Sequence, residues 1–348
     1  MQKFLTIVVP TYNMQDYLNR CLDSLIVSPE LMQQLEVLVV NDGSKDKSSA
    51  IAHEYETKFP NTFRVIDKAN GNYGSCVNRG LAEAQGKYIK ILDADDWFDT
   101  REFELYIQKL KDLVEVDMIL TSYNSVSQDS GKKKLETKEV PEGEAFDFNT
   151  FSPDQLSFYP MHMVTYRTEM LRNIGYFQTE GISYTDTEWA IMPQYAIKRF
   201  VFLPYVVYQY LIGREGQTVD PDVMIRNAWH FEPILKAMIE NRNKYVSDKT
   251  FVSGLADSIN LGEISKTAER LYKIVLVKHS PSEQELLRLK QLDEYLKENC
   301  TSAYDYLGTL RLKNLPVHYI RFWRKSGRRF PVDWMRDTYR KVLYGNRE

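Results

Sequence analysis

Four short runs in the first 92 residues are almost wholly apolar: FLTIVVP (4–10), LEVLVV (35–40), FRVID (63–67) and KYIKIL (87–92). Runs this short and continuous read as strands buried on both faces. Between them, apolar residues fall at helical spacing: Tyr17, Leu18, Cys21, Leu22, Leu25 and Ile26, then Ala50, Ile51 and Tyr55, then a segment from Gly74 to Ala84 closed by Gly86. Asn13 and Ser44 are placed to cap the first two of these helices. Such alternation requires crossover connections, and hence a mostly parallel sheet with helices on both faces. A helix over Phe103 to Leu113 and a fifth strand, DMILTSY (117–123), continue the order.

Beyond Ser127 the pattern changes. SQDSGKKKLETKEVPEGE (127–144) is charged and rich in turn residues, and predicts an exposed hairpin about Ser130-Gly131. MHMVTYR (161–167) and FVFLPYVVYQYL (200–211) read as strands, with a helix TEWAIMPQYAIKR (187–199) between them. After Pro221 nearly everything reads as helix: 222–240, 248–277 and 282–300. A boundary is therefore expected near Thr218 to Asp222, where a sheet-based domain gives way to a helical one.

Each strand delivers its following residues to the edge of the sheet where ligands bind in open α/β folds. The first brings Pro10, Thr11 and Tyr12, and the second Asn41, Asp42, Gly43 and Ser44. The third leads to Lys68, Asn70 and Gly71. A tyrosine ring offers a face for stacking, an aspartate accepts from ring N–H groups, and glycine lets backbone approach a ligand. That set suits a nucleotide. The fourth strand ends in four acids within seven residues: Asp93, Asp95, Asp96 and Asp99. Crowded carboxylates repel, and a divalent cation carrying a diphosphate relieves the repulsion. In extended chain Asp93 and Asp95 face one way, whereas Asp96 points elsewhere and is free to cap the next helix. Strand-end acids also serve as turn and cap residues, so the run by itself leaves a metal site and a structural role both open.

TIVVPTYN, VVNDGSKD and GLAEAQGKYIKILDADDWF, in that order, resemble the family 2 glycosyltransferases, inverting enzymes of the GT-A fold. The resemblance covers about residues 4 to 215. It implies a Rossmann-like domain over 1–220, with a nucleotide-sugar half (1–97) and an acceptor half (98–220), followed by a helical region over 221–348. It also implies that Tyr12 and Asp42 hold a uracil walled by Pro10 and Thr11, with Asn70 and Gly71 beside it. Asp93 and Ala94 would meet the sugar-nucleotide, and Asp95 would bind Mn2+ or Mg2+ through the diphosphate. In GISYTDTEWA, Asp186 takes the place of the family's general base, with Thr185 where a glutamate is expected; a helix N-cap is the other reading of Asp186. Glu188 is the second candidate base. His162 either faces the sugar or acceptor or is structural, and Arg214 in GREGQTVD is placed to neutralise the diphosphate. One departure stands out: SCVNRGL has Val77 where family members carry an arginine, with Arg79 two residues on.

A sugar nucleotidyltransferase would need a glycine- and arginine-rich first loop, and PTYNMQD has none. A non-catalytic nucleotide-sugar-binding member would not need both the DAD acids and Asp186. A processive membrane synthase is disfavoured, since no apolar run nears the roughly 18 residues of a span and no QxxRW occurs. Three scattered cysteines, Cys21, Cys76 and Cys300, predict reduced thiols, and the short apolar N-terminal run predicts a cytoplasmic protein. Net charge of −3 offers no bulk attraction for nucleic acid. The segment from Arg311 is different, with eleven Lys or Arg against two Asp through Arg347, and with Trp323 and Trp334 interleaved. It fits either a helix packing its aromatics inward or peripheral contact with an anionic membrane, where lipid-linked acceptors sit. The expected partners are thus a UDP-sugar and a glycan or lipid-linked acceptor of surface polysaccharide synthesis.

Overall fold

The computed structural model describes residues 3–156, 158–214, 216–247, 254–278, 280–312 and 317–331. It divides into two compact units, Met1–Thr218 with Lys244–Asn260, and Val219–Asn243 with Leu261–Glu348.

The first unit is built on one sheet. Its strands are β1 Leu5–Thr11, β2 Leu35–Asn41, β3 Phe63–Asp67, β4 Tyr88–Ile91, β5 Trp97–Phe98, β6 Met118–Ser127, β7 Lys133–Glu136, β8 Ala145–Asp147, β9 Val164–Arg167 and β10 Arg199–Ile212. The order across the sheet is β3-β2-β1-β4-β9-β6-β10-β5, with β7 on β6 and β8 on β10. β1 runs parallel to β2 and β4, β2 to β3, and β6 to β10. β9 is inserted antiparallel between β4 and β6. Residues 4–92 thus form the expected parallel crossover half, and the reversal at β9 opens the second half. Gly131, at φ +65°, turns the chain from β6 into antiparallel β7 at the predicted hairpin.

Helices α1 Leu18–Asp23, α2 Pro29–Met32, α3 Ser48–Lys58, α4 Asn72–Glu83 and α5 Thr100–Leu110 cover the sheet. α5 buries Phe103, Tyr106, Ile107 and Leu110, at the i, i+3, i+4, i+7 spacing of one helical face. Each such side chain contributes about 1.5–3 kcal/mol on burial. Asp99 caps α5 by accepting from Glu102 N at 3.2 Å. Two predicted caps are corrected. Asn13 takes φ 54° and accepts from Lys45 N at 2.7 Å, while α1 starts only at Leu18. Ser44 Oγ accepts from Asn13 N at 3.0 Å, and the start of α3 is served by Asp46, which accepts from Ser48 N at 2.9 Å. Both residues join the first two loops instead of starting helices.

Two predicted elements are shorter than expected. Met161–Met163 form a 3-10 turn before β9. The helix predicted over 187–199 is α7, Asp186–Ile191, which follows α6, Thr168–Asn173; a 3-10 turn over Met192–Ala196 replaces its second half. Pro193 has no N–H and its ring clashes one turn back, so the α-helix cannot pass it. In β10 the register on β6 shifts between Leu203 and Val206, around Pro204, and again before Tyr208. Proline is tolerated in a sheet at such a bulge.

The second unit is helical. Its segments are α8 Pro221–Arg226, α9 Phe231–Val246 up to Asn243, α10 Gly254–Lys273 from Leu261 and continuing as one π-turn, α11 Glu283–Asn299, α12 Thr301–Thr309 and α13 Tyr319–Ser326, the end of α9 and the start of α10 being counted in the first unit. A 3-10 turn, Ala228–His230, splits the single helix expected over 222–240. α13 buries Tyr319, Ile320 and Trp323, with the Trp323 ring edge-on to Tyr272 at 6.0 Å. Its Arg324 pairs with Asp293 at 2.7 Å, and Tyr272 OH donates to the same carboxylate at 2.7 Å. Arg321, Lys325 and Arg328 stay exposed. Packing therefore claims Trp323; Trp334 lies outside the described residues. Among the described residues no helix is long and apolar enough to cross a membrane.

Candidate active site

The ends of β1 and β2 form the first wall. Thr11 is buried, while Tyr12 is 45% exposed. Asp42 is buried, and its carboxylate gathers the loop after β3: Gly71 N and Asn72 N donate at 2.9 Å each, and Lys68 Nζ at 2.5 Å. Asn70 Nδ2 donates to Asp42 O at 3.0 Å. Asp42, Asn70 and Gly71 are thus assembled in one place, with the Asp42 oxygens engaged in holding that loop. Val77 is fully buried, and Arg79 is 53% exposed and pairs with Glu83 on its own helix. Lys68, which also donates to Ser75 Oγ at 2.7 Å, is the cation present on this wall.

The acids after β4 separate into different environments. Asp93 accepts from Tyr73 OH at 2.8 Å, and burial, followed by the neighbouring Asp95, pushes its carboxyl up to about 7. Asp95 Oδ2 accepts from Arg214 Nε at 2.9 Å, and Arg214 Nη2 pairs with the same oxygen at 2.9 Å. Its carbonyl accepts from Arg20 Nη2 at 2.9 Å, and that guanidinium lies 3.8 Å over the Trp97 ring. The Ala94 methyl turns into the core, leaving its main chain for any ligand contact. Asp96 departs from expectation. It is buried, accepts from Tyr208 OH and Leu211 N at 2.7 Å each, and caps nothing. Burial, with Asp95 and Asp93, raises its carboxyl well above the usual range.

Behind the acids lies a polar core hidden in apolar sequence. Lys90, inside β4, is fully buried and donates to His162 O at 2.8 Å and Val164 O at 3.2 Å; burial lowers its amine to about 7. The His162 ring packs among Tyr210 at 4.3 Å, Tyr208 at 4.8 Å and Tyr123 at 5.2 Å. Its Nδ1 has no hydrogen-bond partner, and burial and then Lys90 lower the ring to about 3. One ligand atom each of Asp93, Asp96 and His162 lie within 4.8 Å of one another. Both Asp96 oxygens already accept hydrogen bonds, from Tyr208 and Leu211.

Asp186 opens α7 and is exposed. Thr185 holds the N-cap position, so the capping alternative for Asp186 does not apply. Its charge contributes to raising both Asp93 and Tyr73. Glu188, the second candidate base, is fully buried. It accepts from Thr179 N and Thr179 Oγ1 at 2.7 Å each, and burial pushes it up to about 7. Glu188 is withdrawn from any acceptor and braces the loop before it.

Tyr73, Tyr208, Lys90 and Arg20 were not singled out as site residues from the sequence. Only Lys90 left a signal, as the one charge inside an apolar strand. The others meet the acids through folds of chain that sequence spacing does not reveal.

A sheet of this order, flanked by helices and with acids clustered at the end of β4, has a GT-A architecture. Residues 6–175 match the family described as Glycosyl transferase family 2. The chain is 35% identical over 128 residues to the putative glycosyltransferase EpsH of Bacillus subtilis, covering 37% of this chain and 36% of that relative, so the match spans about a third of EpsH. The fold is similar to S. aureus TarS 1–349 in complex with UDP-GlcNAc, with TM-score 0.61, 17% identity, and 98% and 93% of the two chains covered. It is also similar to the mannosyltransferase PcManGT from Pyrobaculum calidifontis in complex with GDP-Man and Mn2+, with TM-score 0.50, 14% identity, and 88% and 85% covered.

Proposed function

We propose that this chain moves one sugar, with inversion, from a UDP-sugar to a hydroxyl of a glycan or lipid-linked acceptor of surface polysaccharide, at the cytoplasmic face of the membrane. The observation that supports this reading is that the loop gathered by Asp42 after β2 runs on to Tyr73, whose hydroxyl donates to Asp93 after β4, so that a polar wall and clustered acids meet at the ends of parallel strands. Tyr12 would stack the base against the Asp42 loop, and Asp95, with Asp93 beside it, would hold Mn2+ or Mg2+. When bound, that ion neutralises charge building on the departing diphosphate. Asp186 takes the acceptor's hydroxyl proton as the acceptor oxygen forms its bond to the anomeric carbon. The bond from that carbon to the phosphate oxygen breaks on the opposite face, and UDP leaves with the electron pair. Arg214, released from Asp95, would pair with the diphosphate.

The test is a panel of UDP-glucose, UDP-galactose, UDP-GlcNAc and UDP-GalNAc, followed by UDP release with and without Mn2+. Asp95→Ala is expected to lose metal-dependent UDP affinity and activity together. Asp186→Asn is expected to bind UDP and metal normally while turnover falls roughly 10²- to 10⁴-fold, the span of general-base loss. Full activity in Asp186→Asn would remove it as the base, and a folded Asp95→Ala with unchanged metal dependence would remove the metal assignment.

A further inference from the structure

The loop that leads to Asp186 is fastened to the nucleotide half by one side chain. Asn78, on α4, uses both ends of its amide: Oδ1 accepts from Gln178 N at 2.8 Å, and Nδ2 donates to Gln178 O at 2.8 Å and to Glu180 Oε1 at 2.9 Å. The Gln178 side chain reaches forward, its Nε2 donating to Thr185 O at 2.7 Å and Thr185 Oγ1 at 2.9 Å. Thr185 is buried and directly precedes Asp186. Glu188 closes the far side by binding Thr179. One bond joins this unit to the Asp42 loop: Gly181 N donates to Gly71 O at 2.8 Å, while Gly71 N donates to Asp42. Gly74 shows how closely the parts approach, because a Cβ there would overlap the Thr179 carbonyl oxygen.

We infer that Asn78 is a positioning residue for the transfer step, setting Asp186 through Gln178 and Thr185. The inference rests on Asp186 being the base. An amide suits this place because it matches a backbone N–H and a backbone C=O of one residue at once. Without it the start of α7 keeps the Glu188 brace and the Gly181–Gly71 bond but loses the side-chain tie from α4 to Gln178. Displacing a reacting group by about 1 Å costs roughly 100-fold in rate without touching substrate affinity.

The experiment is a double-mutant cycle on the full chain, reading UDP release from the best donor of the panel, with water as acceptor, and UDP–Mn2+ affinity by thermal shift. Asn78→Ala is expected to lower turnover about 10- to 100-fold with UDP affinity changed less than about 3-fold. In the Asp186→Asn background the same substitution is expected to cost less than about 3-fold, because two residues acting through one step are not additive. A merely structural asparagine would give the same loss in both backgrounds, and that result overturns the inference. So does a fall in UDP affinity equal to the fall in turnover. If Asn78→Ala does not fold, Gln178→Glu carries the cycle, since it keeps the side chain's length and removes the donor to Thr185. A fully active Asp186→Asn would instead defeat the base assignment itself. An inactive Asp186→Asn beside a fully active Asn78→Ala leaves the base in place and removes the clamp.

Discussion

Arg214 holds Asp95 through two guanidinium nitrogens on a single carboxylate oxygen, both at 2.9 Å, with the two side chains mostly shielded from water. A cation from the protein thus occupies the carboxylate assigned to a metal, and the two must compete. Arg214→Ala should let Mn2+ alone bind several-fold tighter and should weaken UDP–Mn2+ about tenfold through loss of a diphosphate partner, near 1.4 kcal/mol. Calorimetric titration with Mn2+ and with UDP separates the two effects. Weaker binding of Mn2+ alone would show that Arg214 supports the acid instead of competing with it.

Asp42 has a double burden, as the proposed uracil contact and as anchor of the 68–72 loop. Asp42→Ala strands Lys68 and two backbone N–H groups, and should lower unfolding free energy by about 2–4 kcal/mol. UDP should lose its thermal stabilisation in this variant. In the parent chain UDP–Mn2+ should add about 2.7 kcal/mol at a hundred times its dissociation constant. Tighter binding of GDP or ADP than of UDP would contradict the uridine assignment.

Lys90 gives a pH signature. Its amine falls to about 7 in the fold from an ordinary value of 10.5. Below pH 7 it is protonated in both folded and unfolded chains. Between about 7 and 10.5 the unfolded chain holds a proton the folded one has shed, so stability from this group rises with pH, by up to ~1.4 kcal/mol per unit. Denaturant melts from pH 6 to 10 should show this slope in the parent and its loss in Lys90→Met. Parallel curves would mean that the amine stays charged in the fold.

The outward side of α13 makes a separable prediction. Arg321, Lys325 and Arg328 are exposed and Phe322 is 38% exposed, whereas Arg324 is committed to Asp293. Arg321→Glu with Lys325→Glu should reduce sedimentation with phosphatidylserine vesicles at least tenfold, taking about 1 kcal/mol per basic residue near such a surface. Binding should also fall with added salt. Arg324→Ala should instead destabilise by about 3–5 kcal/mol, because Asp293 is left buried and unpaired. Salt-independent vesicle binding, or none, favours packing as the helix's whole role.

The parallel half of the fold was readable because its strands are continuous apolar runs bounded by turn residues, and hydrophobic period is the strongest local signal. The caps were misread for a physical reason. Asn13 and Ser44 have side chains that bond backbone wherever it is offered, and here the neighbouring loop outcompeted the helix start. Pro193 was visible in the sequence, yet the apolar spacing around it continued, and the missing N–H prevailed. Asp96 is the instructive case at the site. Spacing alone turned it away from Asp93, but the chain leaves extended geometry after β4, and Tyr208, 112 residues on, draws it inward.

The bulge around Pro204 has a consequence for how this chain can change length. Along a strand, adding one residue exchanges the two faces of everything beyond it. A bulge already accommodates surplus backbone, so an insertion at 204 is absorbed before the ladder resumes. An insertion between Tyr208 and Leu211 would swing Tyr210 to the opposite face and pull Leu211 N from Asp96, with Arg214 displaced in turn. An added residue at Pro204 is therefore expected to cost less stability than one added between Tyr208 and Arg214.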